Sequence, residues 1–409
     1  MRRRNLSIRV ILIAFVVLTL AAIQGGSRSA EPEENGAVKS LKISLFPYVP
    51  DQKLITKAIE ERWKKLHPDI ELQFVDGKKF DSYKQDPPDD LDVFEFDSIM
   101  LDYYVRSNLI SPIALAEVKD AEDYLTFAWK GCMVDGRLYA IPRLACTYVL
   151  IYRQGDDAIE KVVGLRDLYA VLGKGSEVKV PEKNMGLLID LTGGTDCACL
   201  YLDAVSDTTG RYSLHPKLPP ATDLDNEGLN DIRLLARMAG KTQATLSEPE
   251  NGPPQRPAWF GDGRGRAFVG YSERLYFIPK SAHDKLRVRA LPMDDENKVN
   301  LFFVDMLAIN SSLRGDRRRL ALELINVCTA KDTMLECLTP QDDDKPSQYL
   351  LPVRASVFQD VTLLKKAPLY KDLGAIIDAK TSPRAFRIGP EVRDWLNANK
   401  SLIRGRLFE

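Results

Sequence analysis

Residues 41–75, LKISLFPYVPDQKLITKAIEERWKKLHPDIELQFV, decide the fold class. Leu41, Ile43 and Leu45 alternate with polar residues, the period of a strand with one buried face, and Pro47 and Pro50 stop it. Asp51 is placed to cap a helix. Leu54, Ile55, Ala58, Ile59, Trp63 and Leu66 then recur at helical spacing until Pro68 ends the helix. Ile70, Leu72 and Phe74 alternate again. A strand, a helix and a second strand in this order predict a crossover connection, hence parallel strands with helices packed on the sheet.

Toward the C-terminus, Leu91–Asp97 (LDVFEFD) predicts a third strand that ends in a carboxylate where the chain turns into Ser98. Ligands of open α/β sheets gather beyond the carboxyl ends of the strands. Asp97 is therefore a site candidate by position, and capping of the following helix is the competing role. The turn Gly136-Arg-Leu-Tyr-Ala-Ile-Pro142 leads into a β-rich run, Leu144–Arg153 (LACTYVLIYR), which has the look of a chain passing from one lobe to another. A turn of this G-x-x-Y-x-I-P form before an interlobe strand resembles the two-lobed periplasmic solute-binding proteins. A second lobe then includes a helix at 162–172, a Gly-Gly-Thr turn at 193–195 and an apolar helix containing Leu200, Tyr201, Ala204 and Val205. Pro219–Pro220 and 247–257 (SEPENGPPQRP) are loops by composition. The strand Leu301–Ile309 returns to the first lobe, and no internal repeat is evident.

The first thirty residues hold five arginines and no acid, and Val10–Ile23 is an almost unbroken apolar run followed by Gly25, Gly26 and Ser27. This is the pattern of a signal peptide; an uncleaved anchor is the alternative. Residues 31–38 are polar and are expected to be a linker. The remaining chain of about 380 residues exceeds what one core usually serves and predicts two domains. Without the leader's five arginines, 52 basic residues face 58 acidic ones, a net charge of −6. Such a surface gives no reason to expect nucleic acid or anionic membrane as partner and suits a cationic ligand. Six cysteines are too scattered for a disulfide framework, although a Cys328–Cys337 bridge is possible. Cys197 and Cys199 have no histidine near them in sequence, so two buried thiols on a helix are expected there and no metal site.

Cys146 falls at the proposed crossing between lobes, and Glu273 follows the strand-like Phe268-Val-Gly-Tyr-Ser. A cysteine with the ordinary pKa of about 8.5 is mostly protonated at neutral pH and needs a base before it is a nucleophile. With no histidine close in sequence, a carboxylate is the simplest base. An ordinary glutamate is too weak, so burial would have to raise its pKa. On residue types alone, a buried structural cysteine is the favoured reading of Cys146.

The ordered segments Pro47-Tyr-Val-Pro-Asp51, 86–94 (DPPDDLDVF) with Asp97-Ser-Ile99, Cys146-Thr147, Gly193-Gly-Thr195 and Trp259-Phe260 resemble thiaminase I (thiamine pyridinylase). Gly265-Arg-Ala-Phe268, Gly270-Tyr-Ser-Glu273, Gln348-Tyr-Leu-Leu-Pro352 and Arg387-Ile-Gly-Pro-Glu-Val-Arg393 extend the resemblance over roughly residues 41–399. It implies an α/β, two-lobed periplasmic-binding-protein-like fold of type II. Each lobe is expected to be a mixed, mostly parallel sheet flanked by helices, with the ligand cleft between the lobes. The expected boundaries are 1–30 signal peptide, 31–38 linker, 39–146 plus 301–364 lobe 1, and 147–300 plus 365–409 lobe 2. The resemblance also implies that Cys146 is the nucleophile and Glu273 its base. The thiolate would add to the pyrimidine of thiamine, the thiazole would leave, and an amine, pyridine or thiol would take the pyrimidinylmethyl group. No metal or organic cofactor is implied.

A quaternary thiazolium favours acids and aromatic faces. Asp97 and Asp305 match acidic positions of the family's site and are assigned to the aminopyrimidine and to the cationic ring. Tyr48, Tyr83 and Tyr271 are candidates for stacking or polar contact, with core packing the other reading of each. The family's pattern has tyrosines where this chain has Phe46, Phe303 and Pro254, which bears on affinity and range more than on reaction type. The expected product is a secreted or periplasmic monomer. A non-catalytic exported receptor for thiamine or a related pyrimidine is the alternative function, and a cysteine protease lacks a suitable histidine context.

Overall fold

Ser40–Ser44 (β1) and Glu71–Val75 (β2) pair in parallel, with Leu41 beside Leu72, and the helix Gln52–Leu66 connects them. The Asp51 carboxylate caps that helix by accepting from the Leu54 amide at 3.0 Å. Ile55, Ala58, Ile59 and Trp63 form its buried stripe, while Leu66, expected on the same face, is exposed. The Trp63 indole N–H finds Ile70 O at 3.0 Å, so burying this large ring leaves no unpaired donor. The computed structural model describes residues 37–76, 80–209, 218, 222–249, 252–293, 301–378 and 383–409. The expected signal peptide, most of the linker and the Pro219–Pro220 loop lie outside the described residues. No described helix is long and apolar enough to cross a membrane.

The other strands are Val93–Asp97 (β3), Met133–Val134 (β4), Arg137–Leu138 (β5), Ile141–Cys146 (β6), Tyr148–Arg153 (β7) and Lys183–Ile189 (β8). Gly265–Tyr271 (β9), Leu286–Ala290 (β10), Leu301–Ile309 (β11), Leu351–Pro352 (β12) and Arg384–Ala385 (β13) follow. One sheet has the order β12-β6-β11-β3-β1-β2, with β13 added on β11; a second has the order β10-β7-β9-β8. The small β4–β5 hairpin turns through Asp135 and Gly136, both at positive φ, as a two-residue turn between twisted strands requires.

The run Leu144–Arg153, expected as one long strand, is two strands in two sheets. β6 ends at Cys146 opposite Phe303 of β11, and β7 begins at Tyr148 opposite Tyr271 of β9. Thr147 is the single residue between them. Its buried hydroxyl donates to Leu301 O at 2.8 Å, tying the crossing point to the start of the returning strand. Both sheets are mixed, but parallel ladders do not predominate as expected. The first has three parallel and three antiparallel ladders, and the second has two antiparallel and one parallel. The antiparallel ladders come from the crossing segments: β6 and β7 run against every strand they join, and β11 runs against β3 and β6. β13 pairs with β11 of the first sheet although it falls in the segment expected in the second lobe.

No bridge joins Cys328 to Cys337; all six cysteines are free thiols. Cys197 and Cys199 are buried on the helix Gly194–Thr209, where the Cys197 thiol lies 3.6 Å from Leu191 O.

Candidate active site

A cavity of about 610 Å³ opens beyond the carboxyl ends of β1 and β3, between the two sheets. All seven residues singled out in the sequence line it: Tyr48, Tyr83, Asp97, Cys146, Tyr271, Glu273 and Asp305. Tyr48 stands at its rim, 65% exposed, with its ring edge-on to Phe46 at 5.2 Å. Phe46, Phe303 and Pro254, where tyrosines were expected from the family's pattern, line the cavity as well.

Strand register explains how residues so distant in sequence meet. In the β7–β9 ladder Tyr148 faces Tyr271, their rings stack at 4.4 Å and their two hydroxyl oxygens lie 2.8 Å apart. One alternation further along the same antiparallel register, residue 146 falls opposite residue 273. Cys146 and Glu273 thus flank the end of one ladder, the first in β6 and the second in the 3-10 turn Ser272–Phe277, and both line the cavity. In the first sheet Asp305 of β11 faces Asp97 of β3 directly. Two acids opposite one another weaken a sheet, a cost that belongs to a functional site rather than to the fold.

Burial and mutual repulsion set the proton inventory. Asp97 does not cap the helix after it; its Oδ2 accepts from the Tyr83 hydroxyl at 2.5 Å. Burial pushes Asp97 up to about 6, against the stabilising hydrogen bonds of Tyr83 and Asp305. Burial, with the negative charge of Asp97 and then Glu95, drives Asp305 well above the carboxylate range. Like charges facing each other across the ladder resist ionising together, so the pair titrates as one unit and gives up its last proton above the ordinary carboxylate range. The Cys146 thiol is also pushed well above its ordinary value, first by burial and then by the charge of Glu273. It therefore rests protonated. Glu273, partly open to the cavity but otherwise enclosed by protein, is raised by burial to about 7, and its Oε2 is buried with no hydrogen-bond partner. A protonated thiol and a carboxyl raised to about 7 thus line the same cavity.

Beneath the cavity Arg143 grips Glu95 in a buried bidentate pair, Nε to Oε1 at 2.5 Å and Nη2 to Oε2 at 2.7 Å. Glu95 Oε2 also accepts from the Phe46 amide at 2.8 Å, so the pair fixes the chain leading to Tyr48. The β6–β11 register slips at Arg143, and this bulge next to the site re-aims the side chain. Glu95→Ala should destabilise the fold by about 3–5 kcal/mol, because it strands a buried guanidinium; urea denaturation of the purified variant measures this.

Three of the quoted motifs brace the site. Arg393 donates to Asp86 Oδ1 at 2.8 Å, to Ser82 O at 3.0 Å and to Gln85 O at 3.1 Å, clamping the loop that carries Tyr83. Gln348 accepts from the Asp51 amide at 2.8 Å and donates to Cys337 O at 3.0 Å, holding the loop that carries Tyr48. Phe260 lies under the Arg153 guanidinium at 4.4 Å.

Sequence reasoning missed Asp196, Cys199, Arg274 and Lys400, which also line the cavity. Asp196, in the first turn of Gly194–Thr209, accepts from the Tyr271 hydroxyl at 3.3 Å and is raised by burial. Its signal was an acid directly after the Gly-Gly-Thr turn, where a helix start favours one. Among the described residues no group of three or more His, Cys, Asp or Glu is placed to hold a metal ion.

Residues 147–294 match the Thiaminase-1 domain model. Thiaminase-1 of Paenibacillus thiaminolyticus is 36% identical over 393 residues, covering 96% of this chain and 94% of that protein. Clostridium botulinum thiaminase I in complex with thiamin superposes with a TM-score of 0.85 at 40% identity, covering 90% of this chain and all of that one. The maltodextrin-binding protein MalE1 from L. casei, at 18% identity and a TM-score of 0.60 over 91% of this chain and 94% of its own, shares the two-lobed fold alone. With its identity to a curated relative extending over nearly the whole length, the chain belongs to the thiaminase I family.

Proposed function

We propose that this protein is a thiamine-degrading transferase in which Glu273 takes the Sγ proton of Cys146 and the thiolate adds to the pyrimidine ring of thiamine. The C–N bond to the thiazolium then breaks, and its electron pair leaves with the neutral thiazole. A second nucleophile, an amine, pyridine or thiol, bonds to the pyrimidinylmethyl carbon as the C–S bond to the enzyme breaks; Glu273 returns its proton to the departing Cys146 thiolate, and any proton on the nucleophile is lost to solvent. Splitting one difficult substitution into two easier ones is the gain from the covalent intermediate. Asp305, holding a proton, and Asp97, accepting from Tyr83, present one donor and one acceptor, the complement that an aminopyrimidine edge needs. Asp196 offsets the thiazolium charge. No metal or organic cofactor enters this scheme. The apolar, arginine-bearing leader supports export to the periplasm or the medium.

The observation that carries this reading is that Glu273, with its Oε2 buried and unpartnered and its carboxyl raised to about 7, shares one cavity with the Cys146 thiol. A receptor that only captured thiamine would have no use for that pair. Incubation of the protein with thiamine and aniline should yield the pyrimidine–aniline product and free thiazole. Stoichiometric binding without product would favour the receptor instead.

A further inference from the structure

The wall of the cavity at Gly194, Thr195 and Lys400 is shared with a second recess of about 590 Å³. Lys241, Lys400 and Arg404 line this recess, with Thr245 and Ser401 between them, and no acid does. Lys241 Nζ lies 5.7 Å from the centre of the Phe408 ring, itself part of the recess, and Lys400 Nζ donates at 3.3 Å to the neutral Asn397 amide. Neither contact cancels a charge. Arg404, in the last turn of the helix Val392–Arg406, has a structural reason to be cationic in the helix dipole. Lys241 opens the short helix Lys241–Ala244, where its backbone amide donates to Glu177 Oε1 at 3.3 Å. Three cations around one opening repel each other, and an anion relieves that repulsion.

The two sides of the shared wall have opposite polarity. On the cavity side five acids, Asp81, Asp97, Asp196, Glu273 and Asp305, outnumber Lys84, Arg274 and Lys400, while the recess is lined by Lys241, Arg404 and the shared Lys400. Resting on the reading of the cavity given above, we infer that the recess is a phosphate subsite, and that the favoured substrates are thiazolium compounds with a phosphate on the hydroxyethyl arm. Such a molecule is cationic at the ring and anionic at the end of a short tail, the same order of charge as the cavity and the recess.

Titration calorimetry at low ionic strength tests this with thiamine and thiamine monophosphate, both against Cys146→Ser protein so that no turnover intervenes. The monophosphate should bind about tenfold more tightly than thiamine. High salt and the added changes Lys241→Ala and Arg404→Ala should each erase that margin, with thiamine affinity reporting that the variant is folded. Equal affinity for the two ligands, or a margin that survives both alanines, overturns the inference. Turnover of thiamine by the unaltered protein is measured apart. Its absence beside a retained margin would remove the catalytic reading alone, and its presence without a margin would remove the phosphate subsite alone.

Discussion

Cys146→Ser should lose turnover of thiamine by roughly 10⁴-fold or more while binding thiamine within a few-fold of the unaltered protein. At about 1.36 kcal/mol per tenfold, this is some 5 kcal/mol of lost transition-state stabilisation. The chemistry supplies the reason: a serine hydroxyl beside the same glutamate is far less acidic and less nucleophilic than a thiol, so the first bond to the pyrimidine does not form. The exchange is nearly isosteric, and Cys146 stays in its place opposite Phe303, so the cavity keeps its shape. Thiazole release reads the first effect and calorimetry the second. Parallel loss of both would mean that Cys146 serves binding or packing rather than catalysis.

Glu273→Gln should lower kcat/KM by roughly 10²–10⁴-fold, the range for removing a positioned general base. Its pH dependence separates this role from a structural one. Burial holds Glu273 up at about 7, so the carboxylate that accepts the Cys146 proton is fully present only above that pH. In the unaltered protein kcat/KM should climb as pH rises through about 7. In the glutamine variant the residual activity should lack that step. A step retained in the variant would assign the titration to another group, with the Asp97–Asp305 pair the next candidate.

Stability should run the opposite way. Asp97 and Glu273 hold protons in the folded state up to about 6 and 7, against about 4 in the unfolded chain. Between those limits the folded protein binds more protons than the unfolded one. The contribution of these groups is complete below about pH 4 and is lost as pH rises through 6 to 7. Thermal midpoints of the ligand-free protein should therefore fall over the range in which activity rises. A buried cleft of acids costs stability at the pH where it works, and a cationic substrate offsets that cost.

The opening β-α-β unit was legible because its alternation and its helical stripe are both strong, and each bounding proline or cap acts locally. Asp97 was legible as a site residue because the end of a strand is visible in sequence. The passage of the chain between lobes was legible in Leu144–Arg153, but its placement at residues 146–147 came with the family resemblance, since an apolar run keeps the same appearance whether or not its hydrogen-bonding partner changes. The meeting of Cys146 with Glu273 depends on pairing between Tyr148 and Tyr271, more than a hundred residues apart, and local periodicity carries no trace of it. For that reason the bare residues favoured a structural thiol, and only the family's motifs pointed to a nucleophile. Asp196 and Lys400 escaped notice because helices bring them to the cavity from outside the strand ends. The Cys328–Cys337 bridge failed because short spacing says nothing about where two side chains point.

Mass spectrometry of the intact protein, quenched during turnover of thiamine without added nucleophile, addresses the covalent step itself. One pyrimidinylmethyl group should be found per chain, mapping to the peptide that contains Cys146, and aniline should discharge it. Rapid thiazole release from a protein that never gains mass, or a label fixed on Cys199 instead, would contradict the mechanism.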